Sequence, residues 1–191
     1  MAYTFFALGS FWVTTMDNML PIVYLALLLA LLATASFIIL RQVLKTRKIE
    51  SSIVRLQNKL AKEKGATKDY YELGSIYLDK KLFLQATNQF QKALKAADEV
   101  SPEELVLIYN ALGFAYFAQE QYDLAIRHYK EALKLFPNYV TALNNLGHAY
   151  ERKQLTTQAL ESYSEALQYE PNNVTAKRRS EALRKRVVAS A

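Results

Sequence analysis

The sequence predicts an all-α protein: one membrane-spanning helix near the N-terminus, then three helix–turn–helix units and a closing helix. Two observations carry that prediction. Residues 21–40 run for twenty positions without a charge. Further on, a pattern of small and aromatic residues recurs at one fixed spacing, that from Gly113 to Gly147. Cysteine is absent, which excludes a disulfide framework, a thiolate metal site and a cysteine nucleophile. The 191 residues suffice for one modest domain plus an anchor.

The apolar run reads PIVYLALLLALLATASFIIL. A helix rises ~1.5 Å per residue, so this length covers ~30 Å, the hydrocarbon thickness of a bilayer. Every face is apolar, unlike the one-sided pattern of a helix packed on a soluble core. Arg41, Lys45, Arg47 and Lys48 follow at once, whereas residues 1–20 hold no Lys or Arg and one acid, Asp17. Basic flanks stay in the cytoplasm or its organellar equivalent. Residues 1–20 are therefore expected outside and residues 41–191 inside. Ala33-Thr34-Ala35 resembles a signal-peptide cleavage site, but signal peptides carry charge before a shorter apolar core. Here the charge follows, and the run continues through Leu40. Residues 3–16 are apolar but too short to span. Phe5, Phe6, Phe11 and Trp12 suit an aromatic belt at the interface, unless translation starts at Met16 or Met19.

The net charge of +6 is unevenly placed. Residues 41–64 carry +6 and residues 174–191 carry +5, while residues 65–173 carry −4. Nucleic-acid readers usually bear the basic patch on the folded domain, and here the middle is mildly acidic. In the basic stem, Ile49, Ile53, Leu56 and Leu60 are spaced 4-3-4 among charges. That stripe fits a helix leaving the membrane and packing on the first repeat. It also fits a heptad seam, but two heptads are too few to define a coiled coil. The stem's basic side chains also suit anionic lipid headgroups. Gly65 is the natural stop after the stem.

The repeat is the strongest signal in the chain. Tyr109, Leu112, Gly113, Tyr116, Ala125, Tyr129, Ala132 and Pro137 recur in register as Leu143, Leu146, Gly147, Tyr150, Ala159, Tyr163, Ala166 and Pro171. An earlier unit gives Tyr70, Leu73, Gly74, Tyr77, Ala86, Phe90 and Ala93, with Asp98 at the proline's place. Its distance from the second unit is longer by five positions, supplied by residues 101–105 (SPEEL). A glycine inside a helix costs ~1 kcal/mol relative to alanine, so its recurrence at one register needs a packing reason. The pattern places Gly74, Gly113 and Gly147 on first helices, where a missing side chain admits the partner helix. Ala86, Ala125 and Ala159 do the same on second helices. Tyr77, Tyr116 and Tyr150 are expected to fill the space against Phe90, Tyr129 and Tyr163. Pro137 and Pro171 stop the second helices.

These units resemble tetratricopeptide repeats over residues 67–173. The resemblance implies helix–turn–helix repeats stacked in a right-handed superhelix, with residues 174–191 as capping helix and basic tail. Arrays of this kind need such a cap. Val174 and Leu183 are expected to face the last repeat, and the basic residues water. The expected boundaries are 1–20, 21–40 (span), 41–66 (stem), 67–100, 106–139 and 140–173 (repeats), then 174–191. In this family the first helices line a concave groove. The resemblance and helical spacing put Tyr71, Ser75 and Leu78, then Asn110, Phe114 and Phe117, then Asn144, His148 and Glu151 on that face. Asn110 and Asn144 are expected exposed, to bond a partner's backbone. Phe114 and Phe117 either offer apolar contact or pack between helices.

Family members that clamp acidic chaperone C-termini use inward Lys, Arg and Asn. The matching places here are Tyr71, Ser75, Ala111, Thr141 and Asn145, none basic, which argues against that ligand. No catalytic motif appears. His128 and His148 lack ligand spacing, and His128 is expected on the surface. No Gly-rich phosphate loop is present, and no cofactor or metal is expected. One N-terminal span followed by three repeats is similar to the membrane-anchored tetratricopeptide-repeat family of cyanobacteria and plastids that assists photosystem I assembly. That likeness implies a thylakoid anchor, repeats facing cytosol or stroma, and photosystem I subunits or intermediates as partners. An anchored transport receptor or co-chaperone is the alternative. Insertion of residues 21–40 predicts that the protein stays with membranes through a carbonate wash. Release of the intact chain by carbonate would contradict a spanning helix.

Overall fold

A computed structural model describes residues 2–62, 65–97 and 100–189, with side chains for 21–62, 65–97 and 100–186. Asp98, Glu63 and Lys64 lie outside the described residues, as do the side chains of Phe5, Phe6, Phe11, Trp12 and Asp17. Among the described residues there are eight helices and no strand: α1 (Ala2–Lys62), α2 (Thr67–Asp79), α3 (Phe83–Lys95), α4 (Pro102–Ala118), α5 (Tyr122–Leu135), α6 (Val140–Arg152), α7 (Thr156–Tyr169) and α8 (Val174–Ala189). The chain divides into two units, Met1–Ser52 and Ile53–Ala191.

The first unit is helical. From Pro21 the helix contains a window of mean hydropathy 2.6 with none of it buried, long and apolar enough to cross a membrane. Leu25, Leu29, Phe37 and Ile39 are all more than half exposed.

The second unit consists of three helical pairs, α2/α3, α4/α5 and α6/α7, closed by α8. One contact recurs in each pair. A Cβ built on Gly74 would lie 2.7 Å from the Phe90 ring, on Gly113 2.7 Å from Tyr129, and on Gly147 2.7 Å from Tyr163. Carbon atoms pack at ~3.5–4.0 Å, so the bare glycine face is what admits the ring. Ala86, Ala125 and Ala159 are fully buried on the second helices beside these rings.

The tyrosines of the first helices do more than the sequence expects. Tyr77 shares a core with Phe90, and Tyr150 with Tyr163, and each tyrosine also reaches the preceding second helix. Gln91 Nε2 on α3 donates to the Tyr116 hydroxyl at 2.5 Å, and Lys130 on α5 lies 5.7 Å from the Tyr150 ring centre. Tyr77 follows the same rule with α1, whose Gln57 Nε2 donates to its hydroxyl at 2.8 Å.

That last bond exposes a regularity. Gln57 stands one repeat length before Gln91, and Leu56 one repeat length before Phe90, the length being the Gly113–Gly147 interval. The end of α1 therefore packs in second-helix register, ahead of the first pair. Leu56 is 1% exposed and shares a core with Leu73, Tyr77, Phe90 and Leu112, flanked by Ile53 and Leu60. Lys59 Nζ bonds both Asp69 carboxylate oxygens, at 2.7 and 2.8 Å. That bond is the main reason the Asp69 pKa falls below its ordinary value. Gly65 follows in a buried turn, where a Cβ would strike Leu60 and Tyr70.

The other end is closed in first-helix register. Ala176, Ser180 and Leu183 are buried, one repeat length after Ala142, Leu146 and Ala149. Leu183 faces the last repeat as expected, but Val174 is 75% exposed. It lies two residues before Ala176, about 200° round the helix, and so on the face opposite the stripe, which begins at Ala176 and continues at i+4 and i+7. Glu181 occupies the place of Gly147 one repeat on. A side chain there removes the bare face that another second helix would need.

Within each pair the turn places one non-glycine residue in the left-handed region: Lys81, Glu120 and Gln154, at φ 59°, 61° and 60°. The turn is closed by Leu82 N–H to Tyr77 C=O at 2.8 Å, and by equivalent bonds from Gln121 and Leu155.

Because residues 53–62 belong to the folded array, a chain beginning at Lys48 is expected to be more stable than one beginning at Gly65. The loss should be roughly 3 kcal/mol, from burial of Leu56 and parts of Ile53 and Leu60. Urea midpoints of the two chains measure it, and equal midpoints would contradict the packing. Ala125→Leu should cost about 1–3 kcal/mol by overpacking.

Candidate functional site: the face of the first helices

The first helices α2, α4 and α6, with α8 after them, present the face to which the sequence assigns the groove residues. Phe114 is the open one, 43% exposed. Tyr71, Ser75, Leu78, Asn110, Phe117, Asn144, His148 and Glu151 are half-buried. Tyr71 tilts against Phe90 with ring centres 5.7 Å apart, and Ser75 Oγ donates to the Tyr71 carbonyl at 2.9 Å.

The two asparagines are not exposed as expected. Asn110 Oδ1 accepts from Asn145 Nδ2 at 3.0 Å. Asn144 Nδ2 donates to Asn173 Oδ1 at 3.1 Å, while its own Oδ1 is buried without a donor. Asn110 is thus engaged with the next first helix, and Asn144 with the residue before α8, whose Oδ1 also accepts from Ala176 N–H at 2.9 Å. Phe117 packs similarly, with ring centres 4.6 Å from His148 and 5.4 Å from Tyr122.

Glu151 is also occupied. It accepts from the Tyr163 hydroxyl at 2.5 Å and from Arg179 Nη1 at 3.3 and 3.4 Å. Arg179 is therefore half-buried against Glu151, whereas the basic residues of the tail are expected to face water. Burial chiefly, and then the bond to Glu151, push the Tyr163 phenol pKa well up. Burial, followed by the Arg179 charge, holds His148 below its ordinary pKa.

Asn145, Asn173 and Arg179 are bridging residues absent from the groove prediction. For Asn145 and Arg179 the signal is weak, because a polar residue one position off the core stripe reads as solvent-facing; Asn173 instead stands just before α8, where its Oδ1 accepts from Ala176 N–H at 2.9 Å as a helix cap does. Tyr139, before α6, is a further omission. Burial raises its phenol pKa, and the Tyr71 phenol lies near enough to add to that shift. Among the described residues no group of three His, Cys, Asp or Glu could hold a metal ion.

Three family models match this arrangement: a tetratricopeptide repeat at residues 70–99, a TPR repeat at 113–154 and a tetratricopeptide repeat at 140–173. The uncharacterized protein ycf37 of Cyanophora paradoxa is 43% identical over 128 residues, 66% of this chain and 73% of that protein. The chain belongs to the ycf37 family. It is also 38% identical over 119 residues to the tetratricopeptide repeat domain-containing protein PYG7, chloroplastic, of Arabidopsis thaliana, covering 62% of this chain and 39% of that one. Among solved structures, YrrB, described as a TPR protein with an unusual peptide-binding site, superposes with a TM-score of 0.62 at 21% identity, covering 73% of this chain and 69% of that one. That likeness shows the fold.

In this ycf37-family chain the other histidine also departs from expectation. His128 is half-buried, not on the surface. Its ring lies parallel to Tyr116, within 5° and 5.3 Å, and 6.2 Å from Tyr109, with Nδ1 buried and unbonded. Burial and then the Arg127 charge lower its pKa, against a smaller opposite effect from Glu131. A depressed folded pKa means the stabilisation is complete above the ordinary value of 6.5 and is lost as pH falls through the folded value. Thermal melts of residues 48–191 should therefore weaken between pH ~7.5 and ~5.5, and His128→Phe should flatten the slope. An unchanged slope in that variant would contradict a buried neutral His128.

Proposed function

We propose that the chain is a membrane-tethered protein-interaction scaffold that assists photosystem I assembly. The observation that carries this reading is the chemistry of the first-helix face. Phe114 stands open on the same face as Leu78 and Tyr71, and the charged groove residue, Glu151, is paired with Arg179. Such a surface suits an apolar protein segment better than an acidic tail. Membership of the ycf37 family, a chloroplastic relative and the anchor-plus-repeats resemblance support the photosynthetic setting.

In this reading residues 1–20 are lumenal, 21–40 cross the thylakoid membrane and 41–66 form the stem. Residues 67–100, 106–139 and 140–173 are the repeats in cytosol or stroma, followed by 174–191. Tethering makes a weak contact effectively intramolecular, so the scaffold can hold newly inserted subunits and still release them. Photosystem I subunits or intermediates are the partners, held without a cofactor.

The test is photosystem I accumulation in a deletion strain, with photosystem II as control. Loss of photosystem I alone is expected, and normal levels under low and high light would favour an anchored transport receptor instead. Phe114→Ser should lower co-purification of photosystem I subunits about tenfold, ~1.4 kcal/mol, while leaving the melt unchanged. Co-purification at wild-type level would remove Phe114 from the binding surface.

A further inference from the structure

The first-helix face is not uniformly filled. Between α4 and α6 the asparagine pair and the Phe117–His148 rings close the gap. Between α6 and α8 Asn144–Asn173 and Glu151–Arg179 do so. Between α2 and α4 lies instead a pocket of about 180 Å³ lined by Thr67, Lys68, Tyr71, Glu104, Leu107 and Ile108. These six side chains make no hydrogen bond to one another among the described residues. The five-residue spacer is the cause. It gives α4 an extra N-terminal turn, capped by Ser101, whose Oγ accepts from Glu104 N–H at 3.3 Å. That turn carries Glu104 alongside the first turn of α2.

We infer that this pocket is the anchor subsite of the groove: it takes one leucine- to phenylalanine-sized side chain from a client protein segment with an acidic residue on one side and a basic residue on the other. The inference rests on the groove being the client-binding face. Size supports the anchor, since an apolar cavity of about 150 Å³ admits a benzene ring. Leu107 is 44% exposed at the pocket, a leucine left open where the neighbouring gaps are packed. Charge selects the flanks. Lys68 and Glu104 are both exposed and pair with no opposite charge among the described residues. A client acid meets Lys68 and a client base meets Glu104.

The experiment is selection of a phage-displayed random heptapeptide library on the full chain in lipid nanodiscs. Peptides with a single Leu, Ile, Met or Phe between an acidic and a basic residue are expected to be enriched. Leu107→Trp, which fills the pocket, should weaken their binding at least tenfold. Glu104→Lys should replace the preferred basic flank by an acidic one. Both positions are exposed, and a melt checks that each variant folds. Enrichment of apolar peptides indifferent to both substitutions would overturn the pocket assignment while leaving the groove reading intact. No enrichment, or peptides matching a stretch of this chain, would overturn the client assignment. Normal photosystem I in a deletion strain alongside the predicted motif would leave the pocket standing and change only the client.

Discussion

An aromatic ring lying on a bare glycine is the contact on which the rest of the array depends. Each glycine lets a second helix approach until its ring touches the first helix, and the ring is then fully buried. Gly74, Gly113 and Gly147 accept ~1 kcal/mol of lost helix propensity each. The return is a close crossing at the same place in every pair. Tyr77, Tyr116 and Tyr150 share the cores built round these rings and also reach the preceding helix, linking one pair to the next.

The same register explains both ends. At the start, the end of α1 supplies a second-helix surface, with Leu56 standing where the other pairs have Phe90, Tyr129 or Tyr163. At the finish, α8 supplies a first-helix surface, with Glu181 where the others have glycine. Each end uses the repeat's own contacts on its inner side, and α8 interrupts them on its outer side. Between these ends, the first helices are bridged by amides, rings and one part-buried ion pair. Two of the three gaps are closed by such bridges and one holds the pocket, so the face is shaped by local sequence on a repeated frame.

Much of this is legible in the sequence, and the failures share one physical origin. The glycine and alanine positions are legible because a costly residue recurring at one spacing has few explanations. The apolar run is legible because twenty uncharged residues have a definite length in helical form. Asn110, Asn144, Glu151, Arg179 and His128 mislead because a polar residue next to a core stripe reads as solvent-facing. In a stacked array that position faces another element of the stack. There Glu151, Asn144 and Asn145 bond to partners 28, 29 and 35 positions away. Val174 misleads because it is apolar yet stands two residues before the stripe begins, on the opposite face of α8.

The glycine–ring contact is tested most directly by a double-mutant cycle on the repeat region, residues 48–191. Gly113→Ala, Tyr129→Leu and the double variant would be compared by urea unfolding. The added methyl strikes the Tyr129 ring in the wild type, so Gly113→Ala should destabilise there. With the ring shortened to leucine, the same change should be neutral or stabilising, because alanine favours the helix by ~1 kcal/mol. A coupling energy of at least ~1 kcal/mol is therefore predicted. Additive effects would show that Gly113 is required for some reason other than the ring it carries, and would contradict the account.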